Sequence, residues 1–260
     1  MKLKKKILII SGGSGSEFLF KIFNDYKKIL EINSLINLYD NGKSSGELRK
    51  FLNYKILGPS DLRKIHSLSY KYFSNKTNLD FFNKRLSTKN FNNNISSITK
   101  LEELLILNKV NISDYPIKLK KYIFLAFKLF VFNKRKFKSN DFSIANLVYA
   151  YLAIKFKTYN SSEKIVRELL KIKTKVFFND CENLYLFALT EKGKIITGEE
   201  QIVNYNKKDK IVDIFFNKTN LTKKNIIQIN CINILNDKIE YLKKKYNLKP
   251  KLDRRSKNNI

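Results

Sequence analysis

The sequence predicts an α/β fold built on an open, mostly parallel sheet and interrupted by a helical insertion. Three observations predict it. Ile7, Leu8, Ile9 and Ile10 form a short continuous apolar run entering Gly-rich sequence, as a buried parallel strand does. Residues 17–30 then place Phe18, Phe20, Ile22, Phe23 and Tyr26 at helical spacing, and a run at 36–39 closes a β-α-β unit. From Asp61 to about Phe178 helical spacing dominates.

The elements follow in chain order. The first strand ends in the loop Ser11-Gly12-Gly13-Ser14-Gly15-Ser16, a helix spans 17–30, and the second strand, 36–39, stops at Asp40. Helices are expected over 101–107, 119–132, 143–156 and 162–172, joined by Asn-rich connectors such as 90–94. Ser161 or Ser162 is placed to cap the last of them by accepting from the free amides of its first turn. Strands are expected at 184–189 and 194–197, flanking a hairpin turn with Gly193 where positive φ is needed, and at 211–216 and 226–234. The expected organisation is a single domain over 1–260. It has a phosphate-binding β-α-β core at 1–70, a helical insertion at 71–175, a strand-rich remainder at 176–248 and a basic tail at 249–260.

With 43% apolar and 13% aromatic residues in 260, the chain buries enough surface to fold. Lys plus Arg number 52 against 23 Asp plus Glu, a formal charge of +29. The basic residues are scattered through every segment and cluster only at 2–6, 134–138 and 243–245. Together with abundant Asn, Ile, Phe and Tyr and no Trp, this reads as the product of an AT-rich genome rather than a binding stripe, so nucleic acid is not the expected partner. Two Cys and a single His support neither a disulfide framework nor a zinc site, and fit a reducing compartment. The N-terminal apolar run is too short for an export signal. The stretch 122–132, interrupted by Lys128, falls short of the ~20 residues of a membrane span. A cytoplasmic location is expected.

Six of the eight glycines are Gly12, Gly13, Gly15, Gly42, Gly46 and Gly58. Between a strand and a helix N-terminus, the amides of Gly12, Gly13, Ser14 and Gly15 can cradle a phosphate; a tight β-α turn would also use Gly. The loop lacks the Lys-Ser/Thr ending of a P-loop and the Gly-x-Gly-x-x-Gly spacing of a dehydrogenase. The second cluster, residues 39–49, lies at the C-terminal end of the second strand, where open α/β sheets bind ligands. Asp40 can ligate Mg²⁺ through oxygen, Ser44 and Ser45 offer hydroxyls and amides, and Lys43 with Arg49 can neutralise phosphate; an Asx turn followed by a Ser cap is the plainer reading. In the third cluster, Gly58-Pro59-Ser60-Asp61-Leu62-Arg63, Ser60 or Asp61 can cap a helix and Arg63 can point back toward the site. His66, one turn on and without a recognisable carboxylate partner, reads as a packed helix residue.

These clusters resemble, in order and spacing, the motifs of the CofD/YvcK family. Its members carry a Gly-Gly-Gly-Thr-Gly-like loop, then Asp-Asp-Gly-Gly-Ser-Ser-Gly-x-Leu-Arg, then Pro-Pro-Gly-Asp-Ile-Arg. Farther on, Asp141-Phe142-Ser143-Ile144-Ala145-Asn146-Leu147 is similar to the family's Gly-His-Ser-Ile-Gly-Asn-Leu, and Gly198-Glu199 to a later Gly-Glu pair. The resemblance implies a Rossmann-like three-layer αβα core and a 2-phospho-L-lactate transferase-like enzyme. Such an enzyme moves a phosphorus-containing group from a nucleotide-activated donor with Mg²⁺ and no organic prosthetic group. The alternative it implies is a non-catalytic regulator of envelope or carbon metabolism that binds a UDP-sugar. By position, Asp40, Asn41 and Asp61 are the catalytic candidates and Asp40 the metal ligand. Gly12, Gly13, Ser14, Gly15, Ser143 and Asn146 would hold the nucleotide, and Lys43, Ser44, Ser45, Arg49 and Arg63 the substrate. A nucleotide or nucleotide-activated small molecule is the implied partner, and a homodimer is allowed. Asn41 stands where the family has its second Asp, Lys43 where it has Gly, and Asp141-Phe142 where it has Gly-His. The family's Gly-Pro-Gly-Ser loop has no counterpart before Ile260, so a fold shortened at the C-terminus is expected.

Overall fold

The computed structural model describes residues 4–11, 14–36, 43–53, 56–86, 101–103, 105–106, 108–130, 142–178, 184–205 and 209–246. The chain divides into two compact units, Met1–Cys181 with Asp253–Ile260 and Glu182–Leu252.

In the first unit β1 (Lys5–Ser11) leads through a 3-10 turn (Ser14–Ser16) into α1 (Glu17–Asn24) and β2 (Leu30–Ile36). Then come α2 (Lys43–Phe51), α3 (Ser60–Tyr72), α4 (Asp80–Asn83), β3 (Arg85–Leu86), α5 (Ile117–Phe130), β4 (Phe142–Ser143), α6 (Ile144–Phe156), α7 (Tyr159–Leu169) and β5 (Val176–Phe178). The expected parallel sheet is formed by β1, β2 and β5 in the order β1-β2-β5, with Ser11 beside Ile36 so that the C-terminal ends of β1 and β2 lie together. Arg85 and Leu86 pair antiparallel with Ser143 and Phe142.

Helix α6 is the centre of this unit. It is apolar on nearly every side, so it can lower its free energy only by burying all of them, and it packs between α5 and α7 with nine buried residues, among them Leu147, Val148 and Tyr149. Lys157 at φ +57 ends it in the left-handed conformation. Thr158 then caps α7 by accepting from the Asn160 amide at 3.2 Å, so neither Ser161 nor Ser162 is the cap. Ser162 is buried instead and donates to the Tyr149 carbonyl at 3.1 Å.

Two boundaries differ from expectation. The first helix stops at Asn24 rather than 30, and the second strand is 30–36 rather than 36–39. In β2 the buried positions alternate at Ile32, Ser34 and Ile36, but Ser34 is polar and weakens the period-two pattern, whereas Ile29 and Leu30 extend the apolar spacing of α1. Residues 37–39 lie outside the described residues. Ser143 belongs to β4 and precedes α6 rather than lying within it.

The second unit holds an antiparallel sheet in the order β7-β6-β8, from β6 (Tyr185–Thr190), β7 (Ile195–Thr197) and β8 (Ile211–Asn217). Gly193, at φ +74, makes the hairpin turn as expected. Helices α8 (Glu199–Val203), α9 (Lys223–Asn230) and α10 (Leu235–Lys245) complete the unit. Helix α9 replaces the strand expected at 226–234. A capping box between Thr222 and Asn225 starts it, and Ile229 is buried in a cluster with Phe187, Leu189, Phe215, Leu242 and Tyr246. Helical nucleation and burial at one face outweigh the strand preference of the β-branched residues there. No helix of the described residues is long and apolar enough to cross a membrane.

Candidate functional site

Ser11 is the last residue of β1, at the edge of the sheet where parallel strands end. Its hydroxyl oxygen is buried with no hydrogen-bond partner. Four residues later Gly15 lies in the 3-10 turn. A Cβ built there meets nothing within 4 Å, and the residue is not in the left-handed region. Neither backbone strain nor crowding inside the fold requires glycine at 15. What glycine does provide is close approach from outside, which is how a backbone accepts a phosphate. Gly12, Gly13, Asp40 and Asn41 lie outside the described residues, as do the side chains of Ser14, Lys43 and Ser44.

Three motifs far apart in sequence meet in one polar knot. The hydroxyls of Ser45 in α2 and Ser60, the first residue of α3, are 2.5 Å apart, and either can donate. Asn146, in the first turn of α6, donates from Nδ2 to Ser60 Oγ at 3.3 Å. Ser45, Ser60 and Asn146 are all buried. Buried hydroxyls must find partners, and here each motif supplies the partner of the next. The 3-10 turn of the Gly loop packs against α3, so the knot and the loop share one supporting helix.

A second convergence lies at the Phe82 carbonyl. It accepts from Arg63 Nη1 at 2.8 Å and from Ser143 Oγ at 3.0 Å, so both expected ligand contacts have partners inside the fold. Arg49 is fully buried and has an interaction partner. Asp61 does not cap α3, and neither does the Ser60 side chain. Pro59 occupies the cap position, and Asp61 pairs with Lys64 at 3.2 Å. Gly198 and Glu199 belong to the second unit. Among the described residues no group of three or more His, Cys, Asp or Glu could hold a metal ion.

His66 is packed, as expected, but its partners were not legible. Nδ1 and the Tyr149 hydroxyl are 2.7 Å apart, and Nε2 faces Glu163 Oε1 at 3.6 Å. The same carboxylate oxygen accepts from Arg167 Nε at 2.8 Å and the Val176 amide at 3.2 Å, joining α3, α6, α7 and β5 in one buried network. Burial, with the Glu163 carboxylate adding to it, holds the Tyr149 phenol well above its ordinary pKa, so the hydroxyl stays protonated. The signal for this network, Glu163 and Arg167 at i, i+4 on a helix, reads as a surface pair until the fold turns it inward.

Residues 7–230 match the family described as 2-phospho-L-lactate transferase CofD. A Thermotoga maritima protein named "Putative gluconeogenesis factor" is 27% identical over 209 residues, which is 80% of this chain and 49% of that protein. The Streptococcus pneumoniae serotype 4 protein of the same name is 40% identical over 62 residues, 24% of this chain and 18% of its own. A crystal structure of a UPF0052-family protein from Bacillus halodurans shares the fold at a TM-score of 0.50 with 20% identity, over 87% of this chain and 56% of that one. The chain therefore spans about half the length of the first of these relatives and of the solved structure. Because the family match runs across most of the chain and includes the Gly loop, the Ser45 and Ser60 motifs and the Asn146 helix, the chain belongs to the 2-phospho-L-lactate transferase CofD family.

Proposed function

We propose that the chain binds the phosphates of a nucleotide-activated donor over residues 11–16 and transfers a phospho-acyl or phosphoryl-type group to an acceptor. The observation that carries this reading is the Ser45–Ser60–Asn146 knot, which fixes three family motifs to one another beside the Gly loop. The loop amides hold the phosphate oxygens and the exposed turn at Gly15 lets the donor approach. An acceptor oxygen attacks phosphorus as the bond to the departing nucleotide breaks. Positioning and charge neutralisation are most of what such a transfer requires. Asp40 and Asn41 are assigned to the acceptor side, and Lys43 to the departing phosphate. Mg²⁺, bound by Asp40 and the donor phosphates, would neutralise charge developing there.

A second reading is favoured by the name of the curated relatives: a nucleotide or UDP-sugar binder that regulates carbon metabolism without turnover. Incubation with guanylyl- and uridylyl-activated donors and Mg²⁺, followed by chromatography of released nucleotide, separates the two. Nucleotide release that Ser60→Ala reduces by about tenfold or more supports the transferase, on the scale of one lost buried hydrogen bond. Saturable binding by calorimetry with no release supports the regulator, and neither binding nor release contradicts both.

A further inference from the structure

Three fully buried side-chain atoms of the first unit, Ser34 Oγ in β2, His66 Nε2 in α3 and Thr174 Oγ1 just before β5, make no hydrogen bond to the described residues. They converge on one place. Helix α3 packs on β2, and two contacts show that it descends as the chain entering β5 ascends. Ser69 Oγ accepts from the Thr174 amide at 3.1 Å. His66, three residues earlier in α3, faces Glu163, whose Oε1 accepts from the amide of Val176, two residues after Thr174. Three residues of helix and two of strand advance by similar lengths, roughly 5 and 7 Å, so His66 stands level with Val176. Val176 in turn lies beside Ser34 in the sheet. Ser34 takes the buried face of β2 between Ile32 and Ile36, where its smaller side chain leaves space that isoleucine fills on either side.

We propose that this place is an internal water-binding site, in which one ordered water accepts from His66 Nε2 and exchanges hydrogen bonds with the Ser34 and Thr174 hydroxyls. The Glu163 carboxylate beside Nε2 favours a proton on that nitrogen, because a bare lone pair would face a negative charge. At 3.6 Å the two atoms are beyond hydrogen-bond distance, so the proton needs another acceptor. Neighbouring side chains are already committed. The Tyr149 hydroxyl sits at Nδ1, Ser69 Oγ takes the Thr174 amide, and Glu163 Oε1 takes Arg167 and the Val176 amide. Three buried polar groups left dry would cost stability, whereas a single water satisfies all three and makes the number of contacts common for buried waters. It also ties α3, which carries Ser60 of the knot, to the sheet beneath it, through hydrogen bonds that the side chains do not make with one another.

Urea unfolding of the full chain and of its Ser34→Ala, Thr174→Val and doubly substituted forms tests this, because a dry site and a hydrated one predict opposite signs. Removing a hydroxyl that binds the water should raise the unfolding equilibrium constant by about fivefold or more. Both substitutions strip partners from the same water, so the double form should lose less than the product of the two single effects. Removing a dry, unpartnered hydroxyl relieves a cost instead, so either single form matching or exceeding the parent in stability overturns the proposal. Two losses that multiply fully overturn the sharing of one water. High-resolution diffraction from the unsubstituted chain gives the direct check. A density peak within about 3 Å of His66 Nε2, Ser34 Oγ and Thr174 Oγ1 is expected, and well-ordered side chains with no peak between them sink the idea.

Discussion

Glu163→Ala removes the acceptor that holds four elements together. The side chain is only 5% exposed and takes hydrogen bonds from Arg167 and the Val176 amide while facing His66. Arg167 is 23% exposed and can turn to water, so its loss counts for little. The Val176 amide cannot, whereas His66 Nε2 at 3.6 Å is beyond hydrogen-bond distance and loses only the nearby charge. An orphaned buried donor costs about 1–3 kcal/mol, and losing the charged acceptor puts the total near 3 kcal/mol. For a unit of this size that is a fall of roughly 6–12 °C in Tm. Glu163→Gln keeps an acceptor for the Val176 amide and should cost about 1 kcal/mol. Urea unfolding followed by circular dichroism measures both. A Glu163→Ala protein within about 0.5 kcal/mol of the parent would show that the network contributes no more than a surface pair does.

Gly15→Ala should act with opposite signs on fold and function. In a helical turn with open space it raises stability by up to about 0.5–1 kcal/mol, yet calorimetry should find nucleotide affinity reduced by about tenfold or more. Gly193→Ala forces an ordinary residue to φ +74 with its Cβ 3.1 Å from Lys238 Nζ, and the second unit should lose about 1–2 kcal/mol in urea unfolding. Alkaline pH should destabilise the first unit through Tyr149 and Tyr115, whose phenols burial raises above their ordinary value of 10.0. The folded state keeps protons that the unfolded chain releases near pH 10. The stabilisation is therefore complete below that value and declines as pH rises, and Tyr149→Phe should flatten the decline between neutral pH and about pH 11.

Local signals account for what the sequence made legible. The run at Ile7 to Ile10 is apolar without interruption and forms the expected parallel strand, although only Ile9 of it is buried and Ile10 is 78% exposed, and Gly193 in a polar turn between two apolar runs makes the expected hairpin. The clustered glycines and Ser45 pointed to the candidate site from the residues themselves, Ser60 read only as a helix cap, and Asn146 was reached through the resemblance to the family. What was missed depended on tertiary context. The strand at 30–36 was obscured by its buried Ser34, the α9 helix by its isoleucines, and the role of Glu163 by a separation of nearly a hundred residues from His66. Arg63 and Ser143 carry the right chemistry for a ligand, yet the fold also gives them the Phe82 carbonyl, a partner no spacing rule could supply.

Soaking or co-crystallising the chain with a nucleoside diphosphate, and locating its phosphorus atoms by diffraction, addresses the phosphate-binding reading directly. The phosphates should lie within hydrogen-bond distance, about 3 Å, of the amides between Ser11 and Ser16, with the knot at Ser60 intact behind them. Density for the nucleotide only on the second unit, or none at saturating concentration, would mean that this loop is merely a tight β-α turn.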